Sequence, residues 1–136
     1  MKTILSAVLL LVIMGTFSSC SKDKTNNGYL VGNWEYIQSI GGFTGRDTIK
    51  APANTIIRLS LNLNLTYSIS SNGQITQQGT YKVSNIKSFI TGNDQRALLL
   101  DNASPGNGLL IDLKDPVLCL SDNHYEPYGN FYKRVP

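Results

Sequence analysis

The sequence predicts an all-β domain, an antiparallel barrel of about eight strands, and three observations predict it. Between Ile57 and Ser70, apolar Ile57, Leu59, Leu61, Leu63, Leu65, Tyr67 and Ile69 alternate faultlessly with Arg58, Ser60, Asn62, Asn64, Thr66, Ser68 and Ser70. That is period two, the mark of a strand with one buried and one wetted face. Further short apolar runs follow, separated by turn residues such as Asn72-Gly73, Pro105-Gly106 and Asp115-Pro116. No stretch after Cys20 carries a helical period.

Taken in order, the first strand is expected from Val31 to Ile40, and the glycine-rich Gly41-Gly42-Phe43-Thr44-Gly45 is the loop after it. Asp47 to Thr55 leaves room for a short helical turn before Pro52. The long alternating run exceeds the usual strand length of about 3–10 residues, and Asn62 and Asn64 are turn formers. It is therefore expected to hinge near Asn62–Leu65. Asn72-Gly73, tolerant of positive φ, makes a hairpin to a strand over Gln74–Ser84, in which Gly79 marks a bulge or kink. Ile86–Ile90, Arg96–Leu100, Gly108–Lys114, Val117–Ser121 and Asn130–Val135 are the remaining strands.

The first residues have a different purpose. Lys2 precedes an uncharged apolar run from Thr3 to Met14, shorter than the ~20 residues a spanning helix needs, and small residues then lead to Cys20. Phe17-Ser18-Ser19-Cys20 resembles the bacterial lipobox, with Phe17 in place of the usual leucine. The resemblance implies a lipoprotein signal over residues 1–19, cleavage before Cys20, and acylation of its thiol, which would make the membrane a partner through palmitate-type chains. Buried methylenes contribute ~0.8 kcal/mol each, so two or three chains anchor a protein almost permanently. Residues 20–28 then form a polar tether and 29–136 the domain. Such tethers are similar to those of Bacteroidetes lipoproteins, which implies the outer membrane. Asp23 alone between Lys22 and Lys24 does not decide between its periplasmic and surface faces.

Composition excludes more than it selects. A net charge of +3 without a basic block gives no footprint for nucleic acid. With Cys20 acylated, Cys119 has no partner for a disulfide and reads as a packed strand cysteine. The single histidine lies in Asp122-Asn123-His124-Tyr125-Glu126, too few ligands for a rigid zinc site, and no serine occupies a nucleophile elbow. Glu35, Asp101, Asp112 and Glu126 offer carboxylates, but spacing does not bring two face to face. No lysine with Ser/Thr follows the glycine-rich loop as phosphate binding requires. Neither catalytic residues, nor a metal, nor a cofactor are expected.

Leu30-Val31-Gly32-Asn33-Trp34, with Gly-x-Trp opening the first strand, resembles lipocalins and related calycins, and more closely the small lipocalin-like lipoproteins of Bacteroidetes. Gly79-Thr80-Tyr81, Leu118-x-Leu120-Ser121 and Tyr132-Lys133-Arg134 fit that pattern; Leu65-Thr66-Tyr67 departs from it by lacking glycine. The resemblance implies that Trp34 closes one end of the barrel under Arg134, a structural pair. It also implies a small apolar or amphipathic ligand inside, lined by Leu59, Leu61, Tyr67, Ile69, Tyr81 and Val83, with Phe43 or Phe89 near the mouth. The Asp47-Thr48-Ile49 triplet resembles a Bacteroidetes O-glycosylation acceptor at Thr48. The other reading is a filled barrel acting as an envelope interaction or inhibitor module, with Tyr125 and Tyr128 around Pro127 as its face.

Overall fold

The computed structural model describes residues 27–136. The signal over 1–19, Cys20 and most of the tether lie outside the described residues.

Nine strands form one antiparallel sheet: β1 (Gly32–Gly41), β2 (Asp47–Lys50), β3 (Ile57–Leu61), β4 (Thr66–Ser71), β5 (Gln74–Lys87), β6 (Asp94–Leu100), β7 (Leu109–Lys114), β8 (Val117–Asp122) and β9 (Tyr128–Val135). Pairing of β1 with β9 closes β1 and β3–β9 into an eight-stranded barrel, which removes the free edges of an open sheet. A single 3₁₀ turn, Pro105–Asn107, is the helical structure among the described residues. The all-β antiparallel barrel expected from the alternation is what forms.

β1 serves two partners on one edge. Gly32–Glu35 pair with β3 and Gln38–Gly41 with β2, while its other edge runs along β9 with a bulge at Ile37. β2 thus replaces the helical turn expected over Asp47–Thr55. All four of its residues are exposed, so no alternation betrays it, and pairing with β1 decides the matter.

The long alternating run does break at Asn62–Leu65. Asn62 N–H donates to Thr66 O (2.9 Å), Leu65 N–H to Asn62 O (3.1 Å), and Leu65 takes φ 63°. Asn72 and Gly73, at φ 49° and 81°, turn β4 into β5. β5 runs on through Lys87, so Ile86–Ile90 is no separate strand. Its first half pairs with β4 and its second, from Tyr81, with β6. The register shift falls at Thr76, not at Gly79. Gly79 answers another need: a Cβ there would collide with Asp101 Oδ1.

The core fills one end of the barrel. Leu30, Trp34, Leu59, Leu61, Tyr67, Tyr81, Leu98, Leu118 and Leu120 are all buried and in mutual contact. Full burial of such side chains stabilises by ~1.5–3 kcal/mol each. Ala97-Leu98-Leu99 is buried on both faces, because Ile86 and Gly108 pack against Ala97 and Leu99 from outside. This explains why Leu98-Leu99-Leu100 shows no alternation.

Candidate functional site

β6 and β7 meet only through Ala97–Leu110 and Leu98–Leu109. Beyond these pairs the strands part, although β7 continues to pair fully with β8. The gap is an open cleft of about 710 Å³, within the range of small-molecule sites. Gln95 and Arg96 of β6 line one side, and Leu110, Ile111, Asp112 and Leu113 of β7 the other. Ser88, Ile90 and Thr91 from the β5–β6 turn, Tyr29, and Ser121 and Asp122 with Pro127 complete it.

Two devices hold the cleft open. Asn123, buried, ties the β5–β6 turn to the β8–β9 loop: its Oδ1 accepts from Phe89 N–H (2.8 Å) and its Nδ2 donates to Lys87 O (3.0 Å). The Phe89 ring meets Tyr125 edge-on at 4.8 Å. On the other side Arg96 lies over the Tyr29 ring, 4.9 Å from its centroid, and its Nη2 donates to Asn27 Oδ1 (2.9 Å). The cleft therefore adjoins the point where the chain enters the fold.

The charges in the cleft are unevenly matched. Asp112 has Lys114 at 3.4 Å, and Asp122 has His124 at 3.7 Å, an ion pair when that imidazole is protonated. Arg96 has no carboxylate within ion-pair distance among the described residues, and Asn27 takes only one of its five N–H groups.

The eight residues expected to line a ligand site lie elsewhere. Leu59, Leu61, Tyr67 and Tyr81 are buried core, with Ile69 and Val83 packed against it. Phe43, 86% exposed, stands in the β1–β2 loop, and Phe89 belongs to the rim contact with Tyr125. None of the eight lines the cleft. Tyr67 and Tyr81 have hydrogen-bonding duties instead. Tyr67 donates to Asp101 Oδ2 and accepts from Gln77 (both 2.6 Å), and Tyr81 donates to Asn62 O (2.9 Å). Asp101 Oδ1 also accepts from Thr80 N–H (3.1 Å), so Gly79-Thr80-Tyr81 is a cradle for one carboxylate. Burial, then the bond to Asp101, pushes the Tyr67 phenol up.

Trp34 and Arg134 do meet. The guanidinium sits 4.1 Å from the indole centroid, Trp34 Nε1 donates to Leu30 O (2.8 Å), and Arg134 donates to Val31 O, Tyr29 O and Asp115 Oδ1. Stacking of this kind contributes about 0.5–2 kcal/mol, and the fork of donors ties the chain entry to the barrel end. The Gly32 position is tight for the same reason: a Cβ would lie 2.8 Å from Arg134 Nη1.

Other side chains fall where their chemistry is quiet. Thr48 is exposed on β2. Cys119 is half-buried on the barrel wall beside Ser121, and burial pushes its thiol up, away from thiolate reactivity. Tyr125 is exposed at the cleft rim. Tyr132 packs edge-on to Tyr36 at 5.7 Å; burial, with lesser contributions from Tyr36 and Cys119, pushes its phenol up to about 12. Among the described residues no three His, Cys, Asp or Glu side chains gather as metal ligands. No motif signals the cleft, because it arises where pairing between β6 and β7 stops.

No protein-family model, curated protein or solved structure matches this chain.

Proposed function

We propose that this protein is a lipocalin-like binding module of the cell envelope, held at the outer membrane by an acylated Cys20. It takes a small amphipathic molecule in the β6–β7 cleft and performs no chemistry on it. The observation that carries this reading is the cleft itself, an open space of about 710 Å³ lined by apolar Ile90, Leu110, Ile111 and Leu113 and by polar Gln95, Arg96, Asp112 and Asp122. A concave site that offers both apolar surface and placed polar groups suits a small amphipathic ligand. A closed eight-stranded barrel is a rigid frame on which to hold such a space.

Native mass spectrometry of residues 21–136 exposed to an envelope lipid extract tests the reading. The expected result is an adduct that disappears on denaturation and is absent from Gln95→Trp, which places an indole in the cleft from an exposed position. A bare mass throughout, or an adduct untouched by that substitution, would overturn it.

A protein-interaction or inhibitor module is the second reading, and one feature favours it. β2 lies at the end of the sheet order with all four residues exposed, leaving a strand edge open to pairing. Cross-linking of the membrane-bound protein in its host, with recovery of one partner through β2, would move the assignment there.

A further inference from the structure

We infer that the cleft selects a single-chain amphiphile carrying an anionic head, a carboxylate or phosphate, which Arg96 receives. This rests on the binding reading above and specifies its ligand class.

Three observations converge. Arg96 projects from the face of β6 that also carries core Leu98, and it is partly buried at the cleft. Its Nη2 is engaged by Asn27 and its plane rests on Tyr29, which fixes the guanidinium, and its remaining N–H groups have no acceptor among the described residues. A planar fork oriented in advance loses little entropy on meeting a carboxylate or phosphate, with which it can form paired hydrogen bonds. Neither cleft aspartate lies within ion-pair distance of it: Asp112 has Lys114 at 3.4 Å, and Asp122 lies 3.7 Å from His124.

The walls specify the rest of the molecule. Leu110, Ile111 and Leu113 follow Arg96 along the parted strands, and Ile90, 58% exposed, stands at the rim. Exposed Ile90 and half-buried Leu110 give an acyl chain apolar surface to cover. A cationic head is disfavoured by Arg96 itself, and a neutral head leaves its donors unmatched in a half-desolvated place.

Binding of palmitate, lysophosphatidate, hexadecanol and hexadecylamine, each below its aggregation limit, to residues 21–136 is the test. Either anionic amphiphile should bind roughly tenfold or more tightly than hexadecanol, in keeping with a charge-assisted hydrogen bond. Arg96→Gln should bring palmitate and lysophosphatidate down to the affinity of hexadecanol measured with the same variant, and Arg96→Lys should keep part of the preference. Comparing palmitate with lysophosphatidate distinguishes a free acid from a lipid phosphate. Equal binding of palmitate, lysophosphatidate and hexadecanol, all lost in Gln95→Trp, would overturn the anionic head and leave the cleft reading standing. Binding of none of the four, or binding indifferent to Gln95→Trp, would overturn both.

Discussion

Two regions of this barrel solve opposite problems. Around Trp34, the indole, Leu30, Leu61 and Leu118 are buried to 1% exposure or less, and Arg134 ties three separate segments together across the ring. At the β6–β7 seam two strands of the same sheet pair twice and separate, and polar and apolar side chains share an open volume. The first region holds the fold, and the second spends part of the sheet's hydrogen bonding to make room. A barrel can tolerate an unpaired seam because its remaining strands close around it.

If that division holds, the largest effect belongs to Trp34→Ala. Removing a fully buried indole with its Leu30 bond and its cation partner should lower stability by about 3–5 kcal/mol, a large part of the total for a domain this size. Urea unfolding would measure it, and a loss below ~1 kcal/mol would break the comparison.

Gly79→Ala comes next, at about 1–3 kcal/mol. The added methyl must displace Asp101, releasing the Tyr67 phenol and the Thr80 amide together. Asp101→Asn tests the same cradle without the steric insult and should cost less.

Alkaline pH probes the interior from another direction. The Tyr132 phenol titrates near 10 when the chain is unfolded and near 12 when it is folded, so between those values the folded state binds the extra proton. Its contribution is whole below pH 10 and is lost as the pH climbs toward 12, by roughly 3 kcal/mol at most. Melting temperatures from pH 8 to 11.5 should fall less steeply in Tyr132→Phe, which gives up no hydrogen bond from the phenol.

The smallest expected change in stability is at the seam. Gln95→Trp should shift the unfolding free energy by no more than ~0.5 kcal/mol while eliminating ligand uptake. A substitution that unfolds the protein from there would show that the seam supports the barrel after all.

What the sequence disclosed follows the same division. Where burial alternates, as over Ile57–Leu61, or where a turn demands a special backbone, as at Asn72-Gly73, local physics determines the structure and can be read directly. The Trp34–Arg134 pair came from a motif and from the chemistry of its two side chains. β2 escaped because exposed Asp47, Thr48, Ile49 and Lys50 have no burial pattern to display. The stretch Ile86–Ile90 misled because Ser84 and Asn85 look like a break, whereas they pair with Ala97 and Arg96 in mid-strand. The cleft was beyond reach: whether β7 follows β6 past Leu110 depends on the Asn123 tie and on Tyr29 beneath Arg96, contacts 36 to 67 positions apart that no window of sequence contains.

The hydrogen bond from Arg96 to Asn27 has a last consequence, in the geometry of a leash. Seven steps of chain, with six residues between, lead from Cys20 to Asn27, and an extended chain covers at most ~3.6 Å per step. With Cys20 seated in a bilayer, as proposed, the mouth of the cleft stays within about 25 Å of the lipid heads however the barrel tumbles. A molecule leaving that leaflet meets the cleft at the high local concentration of a tethered pair, not at the dilution of the surrounding fluid. Tether length then becomes a kinetic dial: added residues leave equilibrium affinity for a free ligand alone and slow its capture from the membrane.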